Sequence, residues 1–424
     1  MTEFLALPLV RRVAGTVRVP PSKSASNRAL LLAALSSEPV EIIRPLESAD
    51  TAALLGCLRA MGAQVAPAAR GLRLFGPLGV NRSSETILDA GDSGTAARFV
   101  AALAAATPGS FRLDGSRRLR ERPMAELIEA LRSGGAEIRC LQVEGQLPLA
   151  IRGGMLRSGE IAIDASRSSQ FLSALLLAAP AVEGGLTVRT RGAVASAPYV
   201  ETTVEALVAF GHRVRRVTGA FTVERGAVVP GGYEVPGDHS SAVPLLSAAG
   251  AVGGTVTVLG IRADSSAADA RALPVLERMG IALDCGAEGI TASGSRGGLE
   301  AIEVEAGEFP DSVPALAALA ALAEGESRFR SIGNLRWKES DRIEALEALI
   351  RAAGGSSRAG SAELVVRGGI RRGLATVLPT LNDHRLAMAA ALLSIARGGY
   401  LIENPGCVAK SYPSFFRDLS SLFS

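Results

Sequence analysis

The sequence predicts an α/β protein of two domains, each built from three similar repeats. Six polar segments, each opening an Ala- and Leu-rich stretch of helical length, recur at intervals of about 70 to 76 residues. A second, more amphipathic helical pattern follows each of them, and short strand-like segments occupy the intervals. The chain has 424 residues, 48% of them hydrophobic, which is enough for two or three domains with buried cores.

The first helix of each repeat opens at a cluster of small polar residues, which suits a helix N-terminus. These segments are SKSASNRALLLAAL from Ser22, GDSGTAARFVAALAA from Gly91, SRSSQFLSALLLAA from Ser166, GDHSSAVPLLSAAG from Gly237, PDSVPALAALAALA from Pro310 and NDHRLAMAAALLSIA from Asn382.

The second helix of each repeat has apolar residues three and four apart and, in the first five repeats, a glycine at its far end. These segments are TAALLGCLRAMG from Thr51, MAELIEALRSGG from Met124, VETTVEALVAFG from Val200, AADARALPVLERMG from Ala267, DRIEALEALIRAAGG from Asp341 and YPSFFRDLSSLF from Tyr412. Strand-like segments such as EIIRP, TVTVLG and ELVVRG follow helices, so each repeat is predicted to hold two helices and about four short strands.

The repeats also predict how the chain is divided. The sixth repeat stops after its second helix, whereas the chain begins with two strand-like segments, LALPLV and GTVRVP, that no helix precedes. We therefore expect one domain over residues 20–236 and the other over residues 1–19 and 237–424, with two chain crossings that form a hinge. The alternative is an ordinary α/β protein whose Ala-rich helices resemble one another only in composition.

Composition excludes several classes of protein. The 45 basic and 42 acidic residues leave a net charge of +3, too balanced for a protein that coats nucleic acid or anionic lipid. No apolar run reaches the roughly 18 residues of a membrane span, and the N-terminus lacks the features of a signal peptide. Cysteines and histidines are few and scattered, so we expect no metal, no disulfide framework and a cytoplasmic location. The cysteines are Cys57, Cys140, Cys285 and Cys407.

The polar openings carry more chemistry than a helix cap requires. A helix N-terminus favours anions, and added cations and hydroxyls make a site for phosphate or carboxylate groups. The residues concerned are Lys23, Arg28, Ser168, Ser169, Gln170, Asp311, His384 and Arg385. Bases and acids alternate in SRRLRERPM and NLRWKESDR, which suits a site that holds an anion and moves protons, and Lys410 is either a further ligand or plain surface. There is no GxxxxGK[ST] loop and no nicotinamide fingerprint, so no cofactor is expected.

Ten segments resemble, in order and spacing, the motifs of the 5-enolpyruvylshikimate-3-phosphate (EPSP) synthase family along the full chain. They are PSKSASNRALLLAAL, GDSGTAAR, LRERPM, SSQFLSALLLAAP, SAPY, GDHSSA, FPDS, WKESDRIEAL, NDHRLAMA and CVAKSYPSFF. The resemblance implies a two-domain inverse α/β barrel, each domain made of three βαββαβ repeats, with the active site in the interdomain cleft. It also implies a cytoplasmic monomer that transfers the enolpyruvyl group of phosphoenolpyruvate to the 5-hydroxyl of shikimate 3-phosphate, a step of the shikimate pathway towards chorismate and the aromatic amino acids.

The same resemblance assigns residues to the two substrates and to catalysis. Phosphoenolpyruvate is expected to contact Lys23, Gly94, Arg122, Gln170, Arg342, Arg385 and Lys410. Shikimate 3-phosphate is expected to contact Lys23, Ser24, Arg28, Ser168, Ser169, Gln170, Ser196, Tyr199, Asp311, Asn334 and Lys338. Asp311 is expected to act on the hydroxyl, Glu339 on C3 with support from His384, and Lys23 on the leaving or bridging oxygen. Inhibition by glyphosate is also implied, with Gly94 leaving room for it.

Two positions depart from the family pattern. Asp92 stands where Asn is expected in most relatives, so a carboxylate lies near the expected phosphoenolpyruvate site. If it is ionised it should weaken anion binding there, and if it pairs with a neighbouring Arg or caps the helix little should change. Phe99 stands where Pro is frequent.

Two other functions remain to be distinguished. The UDP-N-acetylglucosamine enolpyruvyl transferases share the repeat fold but place a reactive Cys on a mobile loop, and residues 110–124 contain no Cys. A module that binds anions or RNA is the second alternative. Low aromatic content, the balanced charge and acids among the bases all oppose it.

Overall fold

The computed structural model of the protein describes residues 3–80, 83–226, 231–370 and 376–424. Its contacts divide the chain into two compact units. We call Pro21–Pro236 the continuous unit, and Met1–Pro20 together with Gly237–Ser424 the discontinuous unit.

Each repeat contains the two helices that the sequence predicts, and several repeats add a further short helical segment. In chain order, the α-helices are α1 (Lys23–Ala34), α2 (Ala49–Ala60), α3 (Gly94–Ala106), α4 (Arg117–Arg120), α5 (Ala125–Ser133), α6 (Ser169–Ala178), α7 (Pro198–Ala209), α8 (His239–Val252), α9 (Leu273–Arg278), α10 (Val313–Leu322), α11 (Arg342–Ala352), α12 (His384–Arg397) and α13 (Phe415–Ser420). Short 3-10 helices span Ala179–Ala181, Ala268–Ala272, Gly333–Trp337 and Pro405–Lys410.

The strands are short, with three to six residues each. They are β1 (Phe4–Ala6), β2 (Val13–Arg18), β3 (Val40–Ile43), β4 (Gln64–Ala68), β5 (Gly71–Phe75), β6 (Thr86–Asp89), β7 (Gly109–Asp114), β8 (Glu137–Cys140), β9 (Leu149–Gly153), β10 (Gly159–Ile163), β11 (Leu186–Thr190), β12 (Arg213–Val217), β13 (Ala220–Glu224), β14 (Gly232–Glu234), β15 (Gly254–Leu259), β16 (Ala282–Cys285), β17 (Gly289–Gly294), β18 (Glu303–Glu305), β19 (Glu326–Arg330), β20 (Ser356–Ala359), β21 (Leu364–Arg367), β22 (Thr376–Leu378) and β23 (Tyr400–Glu403).

The first helix of each repeat forms the core of its unit. In the continuous unit α1, α3 and α6 are buried on nearly all sides, and in the discontinuous unit α8, α10 and α12 are. Their small Ala side chains let neighbouring helices approach closely, while Leu fills the space between them. The polar openings begin these helices as predicted, and the side chains of Ser22, Ser93, Ser168, Asp238 and Asp383 accept backbone N–H bonds as caps.

Neighbouring repeats are joined through shared sheets. In the described residues, the sheet orders are β14-β3-β5-β4, β6-β7-β9-β8, β10-β11-β13-β12, β16-β17-β15-β2, β18-β19-β21-β20 and β1-β23-β22. One strand of each sheet comes from another repeat, and in the continuous unit β14 pairs in parallel with β3, so its last strand joins its first repeat. In the discontinuous unit β1 pairs antiparallel with β23, and β2 pairs in parallel with β15.

The structure differs from the predicted helices in two places. The second helix of the fourth repeat is a 3-10 helix, Ala268–Ala272, followed by the short α9, because Pro274 in the first turn lacks the N–H that a continuous helix requires. The basic run before α5 forms the separate short helix α4. In the part of the chain that the structure describes, no helix is long and apolar enough to cross a bilayer.

Candidate active site

Three helices of the continuous unit begin at residues that are predicted to bind the substrates. The backbone N–H groups of the first helical turn that a cap does not satisfy carry partial positive charge, which favours binding of phosphate and carboxylate groups. The predicted ligands at the starts of α1, α3 and α6 are Lys23, Ser24, Gly94, Ser168, Ser169 and Gln170. The capping side chains of Ser22, Ser93 and Ser168 therefore hold the backbone of this cluster in place.

Lys23 has a buried partner. Its Nζ lies 3.1 Å from Asp50 Oδ2, and the two side chains are 11% and 4% exposed. Asp50 belongs to the first turn of α2, which is fixed by a capping box between Ser48 and Thr51. The second helix of the first repeat thus positions the ammonium group of Lys23.

Arg28 is buried and connects α1 with α6 and α7. Its Nε donates to Thr203 Oγ1 at 2.7 Å, and its Nη1 donates to the Ser24 carbonyl oxygen at 2.8 Å. Its Nη2 donates to the Tyr199 carbonyl oxygen at 3.1 Å and to Ser173 Oγ at 3.4 Å. Burial lowers the pKa of Arg28 to about 10, so the guanidinium remains charged at neutral pH. Its contact with shikimate 3-phosphate stays a prediction.

The SAPY segment places Ser196 and Tyr199 in a tight turn that leads into the first turn of α7. Ser196 has a φ of 50°, in the left-handed region, and its carbonyl oxygen accepts the Tyr199 N–H at 3.0 Å. A left-handed conformation costs a serine on the order of 1 kcal/mol or more, so tertiary contacts must hold it. The turn fixes the relative positions of these two predicted ligands.

Gly94 and Arg122, both predicted ligands of phosphoenolpyruvate, lie against each other. A Cβ added at Gly94 would lie 2.6 Å from Arg122 Nη1 and 2.7 Å from its Cζ. Such distances are too short for any side chain to be added at residue 94 without moving the guanidinium. The glycine therefore lets Arg122 reach the N-terminus of α3.

The basic run before α5 divides between the surface and the site. Arg117 and Arg118 pair with Glu121 at 3.9 and 2.9 Å, and Arg120 pairs with Asp114 at 2.7 Å. The exposed pairs with Glu121 contribute little to stability. Arg122 is only 6% exposed and is the member of this run that lies at α3.

The two residues that depart from the family pattern, Asp92 and Phe99, both contact other side chains of the continuous unit. Asp92 accepts a hydrogen bond from Ser116 Oγ, and the cap of α3 is Ser93 rather than Asp92. Phe99 is buried, with its ring centroid 5.3 Å from Arg28 Cζ, a favourable cation–π distance. Asp92 thus ties the start of α3 to the start of α4.

In the discontinuous unit, Asp311 lies among three cations. Its Oδ1 is 3.3 Å from Lys338 Nζ and accepts a 2.8 Å hydrogen bond from Arg342 Nη1. Its Oδ2 is 3.8 Å from Arg385 Nη2. The structure therefore brings together four residues that the resemblance assigns to the two substrates.

Arg342 is buried and binds three carboxylates. Its Nε and Nη2 donate to Asp383 at 2.7 and 3.2 Å, its Nη2 donates to Glu339 Oε2 at 2.9 Å, and its Nη1 donates to Asp311. Burial lowers the pKa of Arg342, but the charges of Asp383, Glu339 and Asp311 outweigh burial and hold that pKa well above its ordinary value. Arg342 therefore stays charged and fixes the spacing of these carboxylates.

Glu339 is flanked by two cations. Its Oε2 accepts the bond from Arg342, and its Oε1 lies 3.5 Å from Lys410 Nζ. Lys410 is 12% exposed and belongs to this cluster, so it is not plain surface. His384 is buried at the start of α12, with its Nδ1 3.7 Å from Asp383 Oδ1. Its support of Glu339 stays a prediction.

Arg385 is held by Ser240, which lies in the first turn of α8. Its Nη1 donates to the Ser240 carbonyl oxygen at 2.7 Å, and its Nη2 donates to Ser240 Oγ. The Ser240 hydroxyl in turn donates to Asp238 Oδ1 at 2.6 Å. Burial lowers the pKa of Arg385, but Asp311, Asp238 and Asp269 outweigh it and raise that pKa above its ordinary value.

The segment NLRWKESDR also contains a structural arginine. Arg336 pairs with Asp341 and with Glu344, the latter at 3.1 Å, and so holds the start of α11. Asn334 lies in the preceding 3-10 helix, Gly333–Trp337. Lys338 directly follows that helix, which positions it beside Asp311.

Several residues that hold the predicted ligands in place were not identified from the sequence. They are Asp50, Arg98, Asp238, Ser240 and Asp383. Asp238 and Asp383 do stand in the predicted openings, where an acid before a helix indicates a cap. Their second role, holding arginines, depends on which helices are neighbours. In the described ranges, no group of three or more His, Cys, Asp and Glu side chains could hold a metal ion.

Comparisons with known proteins show which family this chain resembles along its full length. The family model for EPSP synthase (3-phosphoshikimate 1-carboxyvinyltransferase) matches residues 9–419. The chain is 37% identical to the 3-phosphoshikimate 1-carboxyvinyltransferase of Nitrosomonas europaea over 99% of both chains. It is 38% identical to that of Bordetella petrii over 99% of this chain and 97% of the other. The solved EPSP synthase of Acinetobacter baumannii superposes with a TM-score of 0.80 and 25% identity, covering 100% of this chain and 98% of the other.

Proposed function

We propose how the predicted ligands of the two units serve a single reaction, given that this chain belongs to the EPSP synthase family. The chain transfers the enolpyruvyl group of phosphoenolpyruvate to the 5-hydroxyl of shikimate 3-phosphate and releases phosphate. It is a transferase of the shikimate pathway, which leads to the aromatic amino acids.

The reaction is an addition followed by an elimination. The hydroxyl oxygen forms a bond to C2 of phosphoenolpyruvate while C3 takes up a proton, which gives a tetrahedral ketal phosphate. The bond from C2 to the phosphate oxygen then breaks as C3 loses a proton. The protein must therefore supply a base near the hydroxyl, an acid and base near C3, and cations for the phosphate.

The discontinuous unit supplies the proton-transfer groups in this proposal. Asp311 takes the proton of the hydroxyl, and Glu339 exchanges the proton with C3. The observation that carries this assignment is that Arg342 donates to both carboxylates, at 2.8 and 2.9 Å, and thus fixes their separation. Lys410 and Arg385 stand beside Glu339 and Asp311 and would bind the anionic groups of phosphoenolpyruvate.

The remaining ligands of the discontinuous unit are assigned to the ring of shikimate 3-phosphate. Lys338, 3.3 Å from Asp311, and Asn334 are assigned to the hydroxyls of shikimate 3-phosphate. His384 is assigned to the support of Glu339. Its Nδ1 lies 3.7 Å from Asp383 Oδ1, and Asp383 accepts from the same Arg342 that donates to Glu339, which supports that role.

The continuous unit supplies the anion sites. Lys23, Gly94, Arg122 and Gln170 are assigned to phosphoenolpyruvate, with Lys23 as proton donor to the leaving or bridging oxygen. The assignment to shikimate 3-phosphate covers Lys23, Ser24, Arg28, Ser168, Ser169, Gln170, Ser196 and Tyr199. The positive ends of α1, α3 and α6 support both sets.

The UDP-N-acetylglucosamine enolpyruvyl transferases are the disfavoured alternative. Cys57 is buried, and burial together with Asp89 raises the pKa of its thiol to about 12, which leaves almost no thiolate at neutral pH. The family match and the relatives favour shikimate 3-phosphate as the acceptor.

The test is a phosphate-release assay with the purified chain. Release should require phosphoenolpyruvate and shikimate 3-phosphate together, and UDP-N-acetylglucosamine should not replace the latter. A parallel gel shift with unspecific RNA should show no complex, because the net charge of +3 is small. A shift without phosphate release would contradict the proposed reaction.

We also propose that the chain acts as a monomer in the cytoplasm. Light scattering coupled to size exclusion should then give a mass near 43.6 kDa. Fractionation of cells should place the activity in the cytosolic fraction, and a dimer mass or activity elsewhere would contradict the respective proposal.

A further inference from the structure

Arg98 is a buried arginine between three predicted substrate-binding segments of the continuous unit. It lies on the second turn of α3 and is 3% exposed. Its Nη1 donates to Gln170 Oε1 at 2.6 Å, and its Nη2 donates to the Pro123 carbonyl oxygen at 3.2 Å. Its Cζ lies 5.2 Å from the centroid of the Phe171 ring. Arg98 thus contacts the start of α6 and the residue that follows Arg122.

These contacts decide which way the Gln170 amide faces. An arginine has only donors, so the group that meets Arg98 must be the amide oxygen of Gln170. The amide nitrogen then faces Thr95, and Nε2 donates to Thr95 Oγ1 at 3.2 Å. A flipped amide would place two donors against each other at Arg98, which is unfavourable.

The fixed amide has a chemical consequence at the anion site. A primary amide nitrogen carries two hydrogens, and the bond to Thr95 uses one of them. With Oε1 bound to Arg98, Gln170 presents the second hydrogen of Nε2, a donor, to a ligand at the starts of α3 and α6. A donor attracts a phosphate or carboxylate, whereas the amide oxygen would repel it.

Packing alone does not account for an arginine at this position. A guanidinium loses its hydration when it is buried, and an apolar side chain of similar volume commonly serves a core as well or better. The bonds to Gln170 and Pro123 give the guanidinium a specific task, because they join α3, α6 and the segment of Arg122.

We propose that Arg98 is a positioning residue that fixes the amide of Gln170 as a hydrogen-bond donor to phosphoenolpyruvate. The proposal rests on the function assigned above, in which Gln170 binds that substrate. In this proposal Arg98 acts on substrate binding through Gln170, and it forms no bond to substrate.

The test is a double-mutant cycle on the full chain, read by phosphate release. Arg98→Lys keeps the positive charge beside Phe171 but lacks the planar fork that reaches Gln170 and Pro123 together. Gln170→Ala removes the amide. We expect each single variant to raise the KM for phosphoenolpyruvate about tenfold or more, with kcat changed much less. The double variant should be no worse than Gln170→Ala by more than about threefold.

Two further variants separate positioning from general damage. Thr95→Val removes the acceptor of Nε2 without touching Arg98, and we expect a raised KM that is likewise not additive with Gln170→Ala. If Arg98→Lys does not fold, this pair still tests whether a fixed amide is required. Arg118→Lys is the matched control, because Arg118 pairs with Glu121 at the surface and its KM should equal that of the wild type.

The outcomes distinguish this proposal from the assigned function. A wild type that releases no phosphate from the two substrates contradicts the function itself. An active wild type with an unchanged KM in Arg98→Lys or Gln170→Ala overturns the positioning role. Fully additive effects in the double variant also overturn it, since they would mean that Arg98 acts independently of Gln170.

Discussion

Gly94→Ala tests the close contact between Gly94 and Arg122 in the continuous unit. Alanine is compatible with the first turn of a helix, so the backbone of α3 should be preserved. The added methyl would lie 2.6 Å from Arg122 Nη1 and 3.0 Å from Nη2. The end of a flexible side chain yields more easily than backbone, so we expect the guanidinium of Arg122 to retreat by about 0.8 Å to reach an ordinary contact.

The size of that shift sets the expected loss. A hydrogen bond from Arg122 to an anionic oxygen at about 2.9 Å would lengthen to about 3.7 Å, beyond the range of a hydrogen bond. A hydrogen bond to a charged group contributes about 1.5–3 kcal/mol, so its loss should raise the KM for phosphoenolpyruvate about tenfold to a hundredfold. Glyphosate is longer than phosphoenolpyruvate and should also meet the methyl itself. The inhibition constant of glyphosate should therefore rise by a larger factor than the KM.

The assay is steady-state phosphate release at varied phosphoenolpyruvate and glyphosate concentrations. The wild type should be inhibited competitively against phosphoenolpyruvate. Gly56→Ala is the matched control, because a Cβ at Gly56 in α2 would have nothing within 4 Å, and both constants should stay at wild-type values. Equal factors for inhibitor and substrate, or none, would refute the placement of Gly94 and Arg122 at the phosphoenolpyruvate site.

Three other predictions concern charge and protons. Glu339→Gln keeps the size of a side chain that lies 3.5 Å from Lys410 but removes its ability to exchange a proton. The kcat should therefore fall by about a hundredfold or more while substrate affinity persists. A near-wild-type kcat would contradict the role at C3. Asp92→Asn keeps an acceptor for Ser116 and removes a negative charge, so the KM for phosphoenolpyruvate should fall, and a higher KM would show that the carboxylate is required. Burial lowers the pKa of His212 to about 4, so between about pH 6.5 and 4 the unfolded chain binds a proton that the folded chain does not. The free energy of unfolding should therefore decrease on acidification through that window, by on the order of 3 kcal/mol, and urea unfolding of His212→Gln should show a flatter pH dependence.

Local chemistry made much of this protein readable from its sequence. Helix caps, amphipathic periods and short strand patterns involve residues within a few positions of each other, so six repeats with two helices each could be predicted. The same holds for the anion-binding helix starts, because the cap and the free N–H groups belong to one segment. A proline in the middle of a predicted helix was also local information, and Pro274 accounts for the 3-10 helix that replaces its first half.

Only the tertiary structure decided which partner each charged group takes. The basic run from Arg117 reads as one cluster, yet Arg120 turns to Asp114 while Arg122 reaches α3. Arg28 binds Thr203, which lies 175 positions away, and Arg98 binds Gln170, 72 positions away. The reason is physical: a buried guanidinium must find acceptors wherever the packed helices place them, and helix packing depends on the whole core rather than on neighbouring residues.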